Sequence, residues 1–124
     1  MRLDHFVLSA DDVDALCEFY AAFDGIEIEE LPGDRRALDF GTQKVNLHDA
    51  DVDHDLLAEE WTVGSGDFCL VTERPLAEVQ TELDERGIEV VEGPVDRQGA
   101  VEPLTSIYFH DPEGNLVEIA NVRE

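Results

Sequence analysis

The chain has 124 residues, with 31 acidic side chains against 8 basic ones and a formal net charge of −23 at pH 7. This length allows one compact domain, and the 43% of apolar residues is enough for an ordinary core, which argues against wholesale disorder. A surface with this much negative charge repels phosphate backbones and anionic lipid head groups. Nucleic acids and membranes are therefore poor candidates as partners.

The basic residues and the cysteines indicate the environment in which the protein works. Seven of the eight cations are arginine and only Lys44 is lysine, which together with the acidic excess resembles the proteins of salt-loving archaea. No run of 18 apolar residues and no signal-peptide core is present, and we therefore expect a cytoplasmic protein. Cys17 and Cys69 lie in apolar periodic segments without CxxC spacing, which predicts two free, buried thiols.

The first half of the chain predicts a strand, a helix and three further strands. An apolar stretch over residues 3–8 indicates a strand, and apolar residues at spacings of three and four over residues 13–23 indicate an amphipathic helix that ends at Gly25. Short strands are then predicted over three ranges separated by turn residues, namely 26–31, 37–40 and 44–48.

The second half repeats this order. It predicts a strand over 67–72, a helix over 75–86 and strands over 88–91, 106–109 and 116–120. A shift of 62 residues places Gly25-Ile26-Glu27-Ile28 on Gly87-Ile88-Glu89-Val90 and His5-Phe6 on Asp67-Phe68, which indicates duplication. The predicted fold is α+β, with two βαβββ modules that form a curved mixed sheet. Module one covers about residues 1–49, an acidic linker or lid about 50–65, and module two about 66–124.

Four potential metal ligands occupy comparable places in the two modules. His5 lies on the first strand of module one and Asp67 takes the equivalent place in module two, while His48 and Glu118 lie on the last strand of each module. If matched strands face each other across a cavity, nitrogen and oxygen donors from four strands converge on one ion, a mixture that suits Fe, Mn, Ni or Zn. His54 is interpreted as part of a solvated charge run, and His110 opens a turn and is interpreted as hairpin structure.

The sequence resembles the vicinal oxygen chelate superfamily, the group of glyoxalases, bleomycin-resistance proteins and extradiol dioxygenases. Its small branch of glyoxalase-domain and type III biphenyl-diol dioxygenase-like proteins is the most similar. The resemblance covers nearly the whole chain and rests on these motifs: Asp4-His5-Phe6-Val7-Leu8, Phe19-Tyr20, Phe40-Gly41 with Asn46-Leu47-His48, Gly93-Pro94-Val95 with Arg97, Ser106-Ile107-Tyr108-Phe109, and Asp111-Pro112-Glu113-Gly114-Asn115-Leu116-Val117-Glu118.

The resemblance implies one divalent metal ion (Fe, Mn, Ni or Zn) that chelates a small substrate through two adjacent oxygen atoms. It assigns His5 and Glu118 as ligands, with His48 where a glyoxalase usually has glutamate and Asp67 where most metal-binding members have histidine. In a lyase or isomerase Glu118 would take the proton beside the carbonyl, whereas in an Fe(II) extradiol dioxygenase Tyr108 would help to hold the substrate oxygen.

Four further residues complete the predicted site. Phe40, Phe109 and Trp61 are assigned to the apolar wall of the cavity, and Arg97 to an anionic group of the substrate. The leading hypothesis is a glyoxalase-like metal-dependent lyase or isomerase that forms a homodimer. The alternatives are the dioxygenase and a metal-free small-molecule binding protein of the bleomycin-resistance kind.

Overall fold

The structure is a computed structural model that describes residues 1–124. It contains eight strands and two helices in this order: β1 His5–Ala10, α1 Val13–Ala21, β2 Glu27–Leu31, β3 Arg35–Asp39, β4 Lys44–Asp49, β5 Asp67–Val71, α2 Leu76–Glu85, β6 Glu92–Gln98, β7 Pro103–His110 and β8 Leu116–Val122. The predicted repeat of one βαβββ pattern is confirmed. Neither helix has the length and apolar character that crossing a membrane requires.

The two modules contain sheets with the same topology. The first sheet has the strand order β1-β4-β3-β2 and the second has the order β5-β8-β7-β6. In each sheet the strand that comes first in the chain pairs in parallel with the strand that comes last, β1 with β4 and β5 with β8. The other neighbouring strands are antiparallel. The chain divides into two compact units, Met1–Ser65 with Pro112–Gly114, and Gly66–Asp111 with Asn115–Glu124.

In the first unit, α1 begins at a capped end and packs on one face of its sheet. The Asp12 side chain accepts a hydrogen bond from the backbone N–H of Ala15 at 3.0 Å, which satisfies one of the free donors of the first turn. Leu16, Cys17 and Tyr20 form the buried stripe of this helix. Apolar residues of the sheet complete the core: Leu8, Ala10, Leu38, Val45 and Leu47.

In the second unit, α2 follows Pro75 and buries Leu76, Val79 and Leu83. The backbone N–H of Leu76 donates to the side-chain oxygen of Asn121 on β8 at 2.9 Å, which fastens the start of the helix to one face of the sheet. Alternation along the strands places the fully buried Ile107, Phe109 and Val117 on that same face. The other face carries no helix of its unit and is called here the helix-free face.

Two details of the sequence prediction are wrong. Residues 88–91 are irregular, and the strand that follows α2 lies at Glu92–Gln98. Pro94 lacks a backbone donor, but it is tolerated because β6 is the edge strand of its sheet, where the pairing shifts register between Glu92 and Val95. Both cysteines are free, but only Cys17 is buried; Cys69 is exposed because it lies on the helix-free face of the edge strand β5.

Candidate functional site

Glu118 is the centre of a hydrogen-bonded cluster on the helix-free face of the second sheet. Its Oε2 accepts a hydrogen bond of 2.6 Å from the hydroxyl of Ser106, a fully buried residue of β7. The Cys69 thiol and the Tyr108 phenol also donate to this carboxylate, and these two residues are its register partners on the neighbouring strands. Three donors from two strands therefore hold one half-buried carboxylate in place.

The charge of Glu118 acts on both of these donors. The residue Cys69 is exposed as a whole, but its thiol is partly shielded from water, and this shielding is the first cause that raises its pKa to about 12. The negative charge and hydrogen bond of Glu118 raise the pKa further. Burial also raises the pKa of Tyr108; the hydrogen bond from Arg97 opposes this effect and Glu118 adds to it. Both groups therefore keep their protons near neutral pH.

Arg97 extends the cluster toward the edge of the sheet. Its Nε donates to the Tyr108 oxygen at 3.0 Å, and its guanidinium carbon lies 5.5 Å from the centre of that ring. The Nη1 atom donates to the carbonyl of Asp96 at 2.9 Å, and Nη2 lies 3.5 Å from a carboxylate oxygen of Glu92. The arginine therefore polarises the phenol that in turn contacts Glu118.

His48 lies in the first unit, and both of its ring nitrogens are engaged. Nδ1 lies 2.8 Å from the hydroxyl of Ser9, and Nε2 lies 3.0 Å from the carbonyl oxygen of Val52. Because a carbonyl only accepts, Nε2 carries the hydrogen and Nδ1 accepts from Ser9. The residue is 3% exposed, so the ring is not available as a metal ligand while these two hydrogen bonds hold.

The linker packs against the same imidazole. The ring centres of His54 and Trp61 lie 5.1 Å and 4.8 Å from that of His48, both in edge-to-face arrangements. The prediction of His54 as a solvated charge-run residue is therefore wrong, because it is partly buried against an aromatic neighbour. Trp61 is 40% exposed, and its role in substrate binding stays a prediction.

His5 and Asp67 occupy equivalent register positions, as the sequence shift predicted. His5 pairs with the first residue of β4, and Asp67 pairs with the first residue of β8. The Nδ1 atom of His5 lies 2.8 Å from a carboxylate oxygen of Asp4, and the imidazole is 44% exposed. A carboxylate on one nitrogen fixes the tautomer that leaves Nε2 free to bind a metal ion. Asp67 is also exposed.

The register corrects the pairing of His48 with Glu118. Glu118 pairs with Cys69, the third residue of β5. The equivalent residue in the first sheet is Asn46, which pairs with Val7, the third residue of β1. His48 instead corresponds to Ala120, one register pair further on the same face. The two final strands are offset by 72 residues rather than by the 62 of the first strands, because the second module is longer between its helix and its last strand.

Comparison with known proteins identifies the family. The Glyoxalase/Bleomycin resistance protein/Dioxygenase superfamily matches residues 2–119. The chain belongs to this superfamily. Its members bind small molecules, often form dimers and typically use a divalent metal ion.

Similarity to individual proteins supports the assignment of this chain to the superfamily. It is 41% identical over 119 residues to the Virulence protein STM3117 of Salmonella typhimurium, covering 96% of this chain and 83% of that protein. The crystal structure of that protein has a TM-score of 0.93 at 40% identity and covers 99% of this chain and 98% of that one. The Glyoxalase domain-containing protein RDO1 of Mycosarcoma maydis is 41% identical over 122 residues, 98% of this chain and 69% of its own.

A lactoylglutathione lyase is also similar in structure. The crystal structure of this protein from Agrobacterium tumefaciens has a TM-score of 0.72 at 27% identity, covering 97% of this chain and 92% of that one. This similarity extends over the whole fold of the glyoxalase-superfamily chain.

The side chains of the chain can be examined as ligands for the divalent ion that the superfamily implies. No three His, Cys, Asp or Glu side chains of the chain form a group that could hold a metal ion. Individual side chains nevertheless have the chemistry of metal ligands: His5 has a free ring nitrogen, and Asp67 and Glu118 have carboxylates. The side-chain oxygen of Asn46 is buried and accepts no hydrogen bond, which a cation would satisfy. Asn46 thus fits a metal ion better than His48 does, and metal binding stays a prediction.

The predicted apolar residues lie in different environments. Phe40 is partly buried and lines an open surface pocket of about 590 Å³ beside the end of α1. Phe109 is fully buried in the core, on the face opposite to Tyr108, because successive residues of a strand alternate. Its side chain is therefore out of reach of a substrate on the helix-free face, and packing accounts for its position.

Sequence reasoning missed three members of these clusters. Ser106 and Cys69 contact Glu118, and Ser9 contacts His48, but all three look like ordinary strand residues in the sequence. A signal existed for Ser106, because it lies two residues before Tyr108 and so shares a face with it. Cys69 needed the strand order, since only the parallel pairing of β5 with β8 brings it to Glu118.

Proposed function

We propose that this chain is an enzyme of the glyoxalase-like lyase or isomerase type. It acts on a small substrate with two adjacent oxygen atoms and depends on a divalent metal ion. The observation that carries the proposal is the Glu118 carboxylate, held by Ser106, Cys69 and Tyr108 on the helix-free face of its sheet. The structural similarity to a lactoylglutathione lyase supports this class of reaction.

Glu118 is suited to move a proton at a fixed position. A carboxylate offers about four lone-pair directions, so three donors leave about one for a proton of the substrate or a cation. Ser106 restrains the carboxylate, which spares reorientation when the substrate arrives. Cys69 does not compete as a base, because its pKa of about 12 keeps the thiol protonated.

Tyr108 supplies the complementary acid. Its phenol is protonated near neutral pH, and the N–H of Arg97 polarises its oxygen from the other side. In the proposed reaction the Tyr108 hydroxyl turns its single hydrogen from Glu118 to the substrate oxygen on which negative charge develops. This frees a second position on the Glu118 carboxylate, which takes the proton beside the substrate carbonyl.

The divalent ion, when bound, supplies Lewis acidity that stabilises negative charge on two adjacent substrate oxygens. In this proposal His5, Asn46, Asp67 and Glu118 hold it, a nitrogen and oxygen donor set suited to Fe, Mn, Ni or Zn.

A metal-free small-molecule binding protein is the second candidate. Two observations favour it: the nitrogens of His48 are fully engaged within the protein, and no three potential ligands form a group. In that function the Glu118 cluster would hydrogen-bond a ligand without chemical change.

Metal analysis separates these candidates. Protein purified without chelator is analysed for bound metal, and its melting temperature is measured with added Mn, Fe, Ni or Zn. We expect about one ion per chain and a stabilised fold, and we expect Glu118→Gln and His5→Gln each to abolish both effects. Glu85→Gln and His110→Gln are the matched controls, since they change exposed residues of the same types.

The outcomes distinguish all three functions. Wild-type protein that retains no metal and gains no stability supports the metal-free binder and contradicts the proposal. Metal binding that survives Glu118→Gln contradicts the site. Anaerobic loading with Fe(II) followed by addition of catechol tests the dioxygenase, because a yellow ring-cleavage product would overturn the lyase or isomerase assignment.

We also infer a homodimer, in keeping with the frequent dimerisation of the superfamily. Light scattering after size-exclusion chromatography tests this, and a mass of about 13.8 kDa, that of one chain, would contradict it.

A further inference from the structure

Arg97 stands out because of the charge around it. It is the only lysine or arginine in the four strands of the second sheet, in a chain with a net charge of −23. Its side chain is 41% exposed, and the carboxylate nearest to it, on Glu92, is 59% exposed and 3.5 Å away. An exposed ion pair of this length is weak and exchanges readily with solvent or with another anion.

The other contacts of Arg97 fix its direction while leaving donors free. Tyr108 and the carbonyl of Asp96 take one hydrogen each, from Nε and Nη1. A guanidinium has five N–H groups in a planar fork, so the Nη2 side remains for a planar, two-oxygen partner once Glu92 is displaced. The two fixed contacts prevent the fork from turning away when Glu92 leaves.

We propose that the substrate carries a carboxylate that binds Arg97, displacing Glu92, while its oxygenated end reaches Tyr108 and Glu118. This inference rests on the proposed function and specifies its substrate class: a small acid with two adjacent oxygens a few bonds from the carboxylate. The spacing follows from Tyr108, whose oxygen contacts both Arg97 and Glu118. The strongly negative chain disfavours a dianion more than a monoanion, which favours a carboxylate over a phosphate or phosphonate.

Pairs of probes that differ only in charge test this proposal. Binding of 3,4-dihydroxybenzoate and of its methyl ester is measured by calorimetry at constant ionic strength, as is binding of 2,3-dihydroxypropanoate and of its methyl ester. We expect at least one acid to bind the wild type about tenfold or more tightly than its ester. Arg97→Gln should reduce this preference to about twofold or less, and Arg97→Lys should retain part of it.

Arg123→Gln is the matched control, because Arg123 pairs with Asp96 outside the Glu118 cluster and should keep the full preference. Equal binding of acid and ester, no binding of either acid, or a preference that survives Arg97→Gln would each overturn the proposal. So would tighter binding of 3,4-dihydroxyphenylphosphonate than of the corresponding benzoate. A preserved acid preference without metal retention would leave this inference standing while the proposed function fails.

Discussion

Replacing Ser106 by alanine removes one of the three donors to Glu118 and leaves the others in place. The hydroxyl is fully buried and its hydrogen bond to Oε2 is 2.6 Å, a length typical of a charge-assisted bond. Such bonds contribute about 1.5–3 kcal/mol to folding. Because Cys69 and Tyr108 continue to donate, we expect Ser106→Ala to lower the free energy of unfolding by about 1.5–3 kcal/mol and to preserve the fold.

A double-mutant cycle isolates this interaction. The free energy of unfolding is measured by circular dichroism in urea for the wild type, Ser106→Ala, Glu118→Gln and the double variant. We expect a coupling energy of about 1–2 kcal/mol, since a neutral amide accepts a weaker hydrogen bond than a carboxylate. Ser65→Ala, which changes an exposed hydroxyl, should cost less than about 0.5 kcal/mol. A coupling energy near zero would refute the idea that Ser106 holds Glu118 as a carboxylate.

Three further predictions concern the rest of the molecule. Added KCl, from about 0.1 M to about 3 M, should raise the melting temperature because it screens the repulsion among acidic side chains; a temperature independent of salt would contradict the halophilic interpretation. Phe109→Ala should lower the free energy of unfolding by about 3–5 kcal/mol, because the ring is fully buried, and a cost below about 1 kcal/mol in urea titrations would contradict its place in the core. The folded protein raises the pKa of Cys69 to about 12, against 9.0 for an unperturbed thiol, so stability should fall as pH rises from about 9 toward 12. The melting temperature of Cys69→Ser should fall less between about pH 8 and about pH 10.5 than that of the wild type, and equal losses would contradict the shift.

Most of the fold could be predicted because the sequence repeats its own pattern. Periodicity located both helices within two residues at each end, and the repeat predicted the order of helices and strands along the chain. The prediction of a strand over residues 88–91 failed because local hydrophobicity favoured those residues, whereas the strand that forms after them contains Pro94. Only the position of β6 at the edge of the sheet makes that proline acceptable, and strand order is a tertiary property.

The site could be predicted less completely, because its contacts depend on register. Glu118 was identified from its place on the last predicted strand and from the family resemblance, and Tyr108 and Arg97 from the family resemblance. Pairing His48 with Glu118 failed, because both lie on final strands but at different register positions. A two-residue difference keeps a side chain on the same face of a sheet while moving it by about 6.6 Å along the strand, which changes every side-chain partner.

The corrected register shows that the two modules place their polar chemistry at different positions. In the first module the third register pair joins Val7 with Asn46, and the fifth joins Ser9 with His48. The fifth pair is not accessible to a ligand, because the Ser9 hydroxyl and the His48 imidazole are hydrogen-bonded to each other and both residues are buried.

In the second module this distribution is reversed. The fifth pair, Val71 with Ala120, is apolar, whereas the third joins Cys69 with Glu118. That carboxylate remains half-buried beside Tyr108 and Arg97 rather than closed within the core. A hydrogen-bonded pair in the first module therefore anchors the linker through the Val52 carbonyl, whereas the polar pair of the second module contains the carboxylate of the proposed reaction. On this reasoning, variants of His48 should act on stability, and variants of Glu118 should act on ligand or metal binding.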